Sequence, residues 1–212
     1  MNRFFLFVMS LIFFISCGST KVALKQISPV SFEKRILVAV GDIQNHTDSR
    51  KYDSFMESLS GNLIFELQAT QCFRLIERQR LQSLLKEVNL SMTGLVDPMK
   101  TKEVGKLLGV DAILFVNLSS VNYSSKKSSS GFAKSETETI EVSMDARLVK
   151  VETGEILSAS RIVTPYTNMF SSFAMMKSGE KVDVDSAVVK CIDESVKILV
   201  NDIAWQASTN SR

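Results

Sequence analysis

IEVSMDARL, residues 140–148, is the stretch that decides how this chain folds. Ile140, Val142, Met144, Ala146 and Leu148 are apolar, and the residues between them, Glu141, Ser143, Asp145 and Arg147, are polar. Side chains alternate faces along a strand, so a period of two describes a β-strand with one buried face and one wet face. Beyond it, ETGE at 152–155 has the composition of a tight turn, and ILSASRIVTPY runs on from residue 156 in β-rich composition. The two runs read as a hairpin. Before it, VDAILFVNLSSVNY at 110–123 starts fully apolar and grows polar, as a strand does that begins in a core and leaves it. SSKKSSSGFAKSE at 124–136 then reads as a polar, low-complexity tip.

Further out the pattern alternates between strands and helices. RILVAV at 35–40 and CFRLIER at 72–78 are short β-rich runs, and GDIQNHTDSRKYDS at 41–54 is polar and reads as a long loop. From Ser54 onward Phe55, Leu59, Leu63 and Leu67 recur every four residues, with Met56 and Ile64 widening the stripe, which predicts an amphipathic helix of about 15 residues. RQRLQSLLKEV at 78–88 predicts another, with Leu81, Leu84, Leu85 and Val88 on one side. Asp97 before Pro98 is a helix start, and Val104, Leu107 and Leu108 lead to a stop at Gly109. The last helix is DSAVVKCIDESVKILVNDIAW at 185–205, capped by Asp185 or Ser186, with Val188, Ile192, Val196, Leu199 and Ile203 as its buried stripe. This order predicts a single α/β domain with helices packed on a mixed sheet and no internal repeat.

The N-terminus has a different character. Arg3 precedes residues 4–15, of which eleven of twelve are apolar. That is the basic start and short apolar run of a secretory signal, shorter than the roughly 18–20 residues of a transmembrane helix. Phe14-Ile15-Ser16-Cys17 resembles the bacterial lipobox, with Phe14 where leucine is usual. The resemblance implies removal of residues 1–16 and acylation of Cys17 by chains such as palmitate, each methylene contributing about 0.8 kcal/mol of membrane affinity. Gly18 in place of Asp implies sorting to the outer membrane. Residues 17–34, with Pro29, read as a lipidated tether.

Charge and composition exclude several functions. There are 25 Lys and Arg against 23 Asp and Glu, and no long basic block, so nucleic-acid binding is not expected. Cys72 and Cys191 sit in apolar patterns and read as lone buried thiols, a disulfide being the alternative in an oxidising compartment. His46 is the one histidine and falls in a loop. No Cys or His pair has metal-ligand spacing, and there is no phosphate loop or nucleophile elbow. SSSG at 128–131 belongs to the polar tip. The expectation is a non-enzymatic chain with no metal and no cofactor.

Taken together, the pieces resemble the CsgG family, outer-membrane lipoproteins of curli secretion and holdfast anchoring. The resemblance is carried by the lipobox at Cys17, VGDIQNHTD, FRLIERQRLQSLLKE, LLGVDAILFVNL, RLVKVETGEILSAS and VKCIDESVKILVNDI, in order along most of the chain. It implies a periplasmic α/β domain over 35–206, a C-terminal tail over 207–212, and two β-hairpins that join an oligomeric transmembrane barrel. It also implies a homo-oligomeric ring, lipid-anchored on the periplasmic side of the outer membrane, that passes exported fibre or adhesin subunits and meets accessory secretion proteins. The channel constriction would fall on KYDSF, with Tyr52 and Phe55 matching the family's tyrosine and phenylalanine and Ser54 in place of its asparagine.

Two features depart from that pattern. A membrane strand needs about 9–11 residues with alternate positions apolar. The first hairpin, between Asn117 and Ile140, holds Lys126, Lys127, Lys134, Glu136 and Glu138, with only Val121, Tyr123 and Phe132 as large apolar groups. The second, VTPYTNMFSSFAMM at 163–176, is uncharged but contains Pro165, which is awkward in a ladder. The alternative is therefore a periplasmic lipoprotein of the same fold that does not span the membrane and acts as scaffold or activator of an envelope machine.

Overall fold

In the computed structural model, Ile140, Val142, Met144, Ala146 and Leu148 lie on one face of a strand and are all buried, as their alternation predicts. The structure describes residues 23–76, 83, 98–173, 176–179 and 183–210. In chain order these form β1 (Ile36–Asn45), α1 (Asp53–Ala69), β2 (Phe73–Leu75), α2 (Pro98–Leu108), β3 (Ala112–Ser130), β4 (Ala133–Lys150), β5 (Ile156–Phe173), β6 (Met176–Ser178) and α3 (Val184–Asn210). The sheet order is β2-β1-β3-β4-β5-β6. β1 is parallel to both β2 and β3, and the rest is an antiparallel meander. This is the expected α/β domain with a mixed sheet.

Each face of the sheet has its own core. On one face Leu59, Leu63 and Leu67 of α1 and Val188, Ile192, Val196, Leu199 and Ile203 of α3 pack over the buried rows of β1, β3 and β4. On α1 and α3 the stripes read from the sequence are the stripes that pack, whereas on α2 Leu107 is exposed. On the other face Leu108 and Val110 close over Ala39, Ile113, Phe115 and Val151. There α2 comes so near the sheet that a Cβ on Gly105 would stand 2.3 Å from Val151 Cγ2. α2 stops at Gly109, at φ +66°, as expected.

Several segments differ from expectation. β1 continues through Gly41–Asn45, which read as loop. A bulge after Val40 resets the pairing, so Ile43 stays buried and Gln44 and Asn45 pair with Asn117 and Leu118. β2 is only Phe73–Leu75, shorter than the expected 72–78. The polar segment 124–136 is not an irregular tip. β3 and β4 stay paired to Ser130 and Ala133 around a two-residue turn, Gly131-Phe132. Gly131, at φ +55°, takes the first central position, where a type II′ hairpin turn places glycine. β5 runs straight through Pro165, opposite Glu141. That position is tolerated because, among the described residues, no strand pairs with β5 on its other side there; β6 pairs with Ser171–Phe173. α3 extends to Asn210 with Ala207 buried, so much of the expected tail at 207–212 is helix. The predicted helix at 78–88 lies, apart from Ser83, outside the described residues.

Candidate functional site

The segment that the sequence offered as a channel constriction is part of the folded core. Arg50–Tyr52 is a 3-10 turn leading directly into α1, so KYDSF forms a helix start and not a projecting loop. The reason is local: Asn45 Nδ2 donates to Ser49 O at 3.0 Å and to Asp53 Oδ1 at 2.6 Å, which pins the turn to the end of β1. Tyr52 is only 5% exposed and belongs to the main core. Phe55 is half-buried against that core, its ring centroid 6.5 Å from that of Tyr52. Of the three predicted residues only Ser54 is exposed. Lys51 lies over the Tyr52 ring at 4.8 Å and donates to Asp185 Oδ1 at 3.1 Å, tying this turn to the start of α3. Hydrogen bonding to Tyr52, then to Asp185, raises the Lys51 pKa.

The most prominent surface feature is an arm made by the far halves of β3, β4 and β5. From Ala133 to Thr139 β4 runs about 23 Å past the last large core residue, Ile140, at about 3.3 Å per residue. Register fixes which residues share a face. Tyr123, Ser125, Lys127 and Ser129 lie with Glu138, Glu136 and Lys134 and with Asn168, Phe170 and Ser172. The opposite face carries Ser124, Lys126, Ser128 and Ser130 with Thr139, Thr137 and Ser135 and with Thr167, Met169 and Ser171. Neither face is an apolar band.

The first face is organised by polar contacts. The Tyr123 hydroxyl donates to Glu138 Oε1 at 2.9 Å, and Ser125 Oγ donates to Glu136 Oε1 at 2.8 Å. Lys127 Nζ is 3.5 Å from the same Glu136 oxygen. The hydrogen bond to Glu138 raises the Tyr123 phenol above its ordinary range. Phe132, at the turn, is 84% exposed. Among the described residues β1 pairs with β3 only as far as Leu118, and β6 pairs with β5 at Ser171–Phe173, with Gly179 lying against Met169 and Phe170 beyond it.

A third feature escaped the sequence reading. Residues 23–34, expected as tether, are a strap docked on the helices. The backbone N–H of Lys25 donates to Asn201 Oδ1 at 2.7 Å, and Asn201 Nδ2 donates back to Lys25 O at 3.0 Å. Lys25 Nζ pairs with Asp202 Oδ1 at 3.0 Å and sits 4.4 Å above the Trp205 ring. Further along, Val30 N–H donates to Gln71 O at 3.3 Å, and Ile27 and Val30 pack against the core. The signal was faint: apolar residues at Leu24, Ile27, Val30 and Phe32 with no clear period, and the lone tryptophan on the exposed side of a helix.

Cys17 lies outside the described residues. Cys72 and Cys191 are free and buried, and burial raises both thiols. His46 is exposed, beside Gln44 Oε1 at 3.1 Å. Among the described residues no group of three His, Cys, Asp or Glu could hold a metal ion, and no helix is long and apolar enough to cross a membrane. The latter says nothing about crossing by strands.

Comparison with known proteins gives one family. The family described as curli production assembly/transport component CsgG matches residues 19–211. No curated protein sequence matches the chain. Solved structures resemble it at low identity. Lipoprotein GNA1162 from Neisseria meningitidis is 14% identical, covering 73% of this chain and 96% of its own, with a TM-score of 0.46. The LpoB C-terminal domain from Escherichia coli is 18% identical over 60% and 81%, with a TM-score of 0.40. The PelC dodecamer from Paraburkholderia phytofirmans is 13% identical over 84% and 98%, also with a TM-score of 0.40.

Proposed function

Because this chain belongs to the CsgG family, we propose that it is an assembly component of a protein-export apparatus, anchored to the outer membrane by acylated Cys17. It is an envelope lipoprotein of the CsgG-like fold. In this reading it works as a homo-oligomer with exported fibre or adhesin subunits and accessory secretion proteins, by binding and not by catalysis. The edge of β3 beyond Leu118 supports oligomerisation, because among the described residues no strand pairs with it there, and such an edge is a template for a strand of another copy.

The observation that carries the reading is the polarity of the arm. Its length suits a bilayer, since a spanning strand needs about 9–11 residues. Its chemistry does not. Whichever face met lipid would bring a row of hydroxyls with it, and each hydroxyl left without a partner there costs about 1–3 kcal/mol. One face adds Lys127, Lys134, Glu136 and Glu138, the other Lys126. A lysine at the bilayer midplane costs about 2–4 kcal/mol. We therefore read the arm as standing in water and the oligomer as a scaffold. A channel is the second reading, favoured by the match over nearly the whole chain and by the arm's length.

Conductance across a planar bilayer separates them, using full-length acylated protein whose oligomeric state has been fixed by cross-linking. The scaffold gives no discrete current steps at any protein load. Large, stable steps from the cross-linked oligomer would overturn it in favour of the channel.

A further inference from the structure

Gln206, in the last turns of α3, bonds the backbone of β5. Ala159 N–H donates to Gln206 Oε1 at 3.2 Å, and Gln206 Nε2 donates to Ala159 O at 2.9 Å. In an antiparallel ladder a residue exchanges both of its backbone bonds with one residue opposite. The Gln206 carboxamide, turning one N–H and one C=O to Ala159, takes the place of that opposite residue. Both backbone groups of Ala159 therefore point away from β4, toward the outer edge of the sheet. Backbone direction alternates along a strand, and the β4–β5 register is unbroken from Ser158 to Phe173. Arg161, Val163 and Pro165 thus turn their backbone to the same edge. Among the described residues no strand pairs with β5 there.

Such an edge is a template for a strand of another chain. Most of its positions are unsuited to that use. Ala159 is occupied by Gln206. Arg161 places a charge on the edge, 3.7 Å from Asp145 Oδ1. Pro165 has no N–H to give, and because it faces the edge its ring costs β5 no bond to β4. Further along, a Cβ on Gly179 would stand 2.7 Å from Met169 O, so the chain after β6 lies directly against β5. Val163, 51% exposed, is the position of the run best suited to pairing. β3, by contrast, has no proline anywhere in Ala112–Ser130.

We propose that Gln206 guards the edge of β5: its carboxamide occupies Ala159 in the manner of a strand and keeps a strand of another copy from pairing with Ala159–Val163. Asp202, one turn earlier, holds the guard in place by accepting from Ser160 Oγ at 2.8 Å. The effect is directional. Pairing of β3 in one copy with β5 in the next would be head-to-tail, and a head-to-tail contact that does not close into a ring grows into a filament. Blocking β5 at Ala159 removes that route. The proposal rests on the homo-oligomer reading only for the identity of the strand excluded.

The test compares the full-length acylated protein in mild detergent with Gln206→Met, which keeps the length of the side chain without its donor and acceptor. Circular dichroism checks that the variant is folded. In dilute protein, hydrogen exchange resolved to single amides should find the Ala159 N–H exchanging about fivefold faster or more in the variant, the factor that one net hydrogen bond is worth. As concentration rises, sedimentation velocity should find the wild type holding one size and the variant growing past it, with the Arg161 and Val163 N–H groups newly protected. Adding Val163→Pro, which removes an edge-facing donor and no bond to β4, should return the variant to the wild-type size.

Unchanged exchange at Ala159 means that Gln206 does not cover the edge, and the proposal falls. It falls equally if exchange quickens without growth, or if the growth leaves Arg161 and Val163 unprotected or survives Val163→Pro; in each case the homo-oligomer reading stands. A wild type that stays monomeric at every concentration, beside a variant that grows and is reversed by Val163→Pro, supports the guard and overturns the homo-oligomer reading instead.

Discussion

Replacing Tyr52 with Ala separates a core residue from a channel-lining one. A side chain that lines a passage contributes little to folding, so its removal should alter transport and leave stability alone. Tyr52 is instead 5% exposed. An aromatic side chain buries about 150–250 Å², which at about 25 cal/mol per Å² is about 4–6 kcal/mol. Residual burial in the unfolded chain reduces this by about 10–40%, leaving about 2–5 kcal/mol. The tilted pair with Phe55 is included in that loss. Urea unfolding followed by helical circular dichroism, with the protein in mild detergent, reads the change. With a slope of about 2–3 kcal/mol per molar, the midpoint should fall by about 0.7–2.5 M. Phe55→Ala, half-buried, should cost about half as much, and Ser54→Ala, exposed, almost nothing. A Tyr52→Ala midpoint within about 0.3 M of the wild type would falsify the core assignment and return the residue to the passage.

Three other outcomes follow from the packing. Gly61→Ala, in α1 with nothing within 4 Å of the new Cβ, should stabilise by about 0.5–1 kcal/mol, whereas Gly105→Ala, facing Val151, should destabilise by about 2 kcal/mol once overpacking outweighs helix propensity; equal effects in thermal melts would refute the close approach of α2. Thr164 and Ser195 share a hydroxyl contact of 2.6 Å between β5 and α3, so Thr164→Val alone should cost about 1–2 kcal/mol and Thr164→Val with Ser195→Ala clearly less, a positive coupling in a double-mutant cycle. Burial raises the thiols of Cys72 and Cys191, so at pH 8 the folded acylated protein should show no fast reaction with a disulfide reagent and two thiols after unfolding. The same shift favours the protonated folded form: its contribution is full below the ordinary thiol pKa and is lost as pH rises through the raised value, so the alkaline limb of a stability profile should flatten in a Cys72→Ser variant.

Much of the fold was legible because periodicity reports burial directly. The alternation at Ile140–Leu148 and the four-residue recurrence at Leu59, Leu63 and Leu67 each mark one face turned to a core, and those faces are the ones buried. What could not be read is structure held by backbone pairing with no apolar signal. The arm from Ser124 to Thr139 has the composition of a loop, yet it is a ladder because its strands are already in register where they leave the core. β1 beyond Val40 was lost for a related reason: the bulge interrupts the period of two. The strap on α3 left no pattern either, since Asn201 and Asp202 look in sequence like any polar pair on a solvated helix face.

The same distinction bears on the candidate site. By residue type only Tyr52 and Phe55 of KYDSF resemble the family's constriction, and residue type cannot tell a ring in a passage from a ring in a core. In this chain the Asn45 clasp on Ser49 and Asp53 starts α1 directly after the turn and carries Tyr52 inward, which favours the core assignment that Tyr52→Ala tests. The arm is the converse case. Its pairing and length fit a spanning hairpin, and only its side chains oppose that use, through a lysine and a row of hydroxyls on one face and four charges on the other. Spanning would require those groups to find partners within the ring itself, the charged face turned to a wet lumen and the hydroxyl face still turned to lipid. The unfavourable term then falls on Ser124, Lys126, Ser128, Ser130, Ser135, Thr137 and Thr139, whichever way the arm is rotated to spare the charges. Replacing all seven by Val or Leu removes that term while leaving the backbone ladder intact. If polarity alone keeps the arm in water, this variant should acquire conductance that the wild type lacks; if it remains silent while folded and oligomeric, something other than polarity holds the arm out of the bilayer.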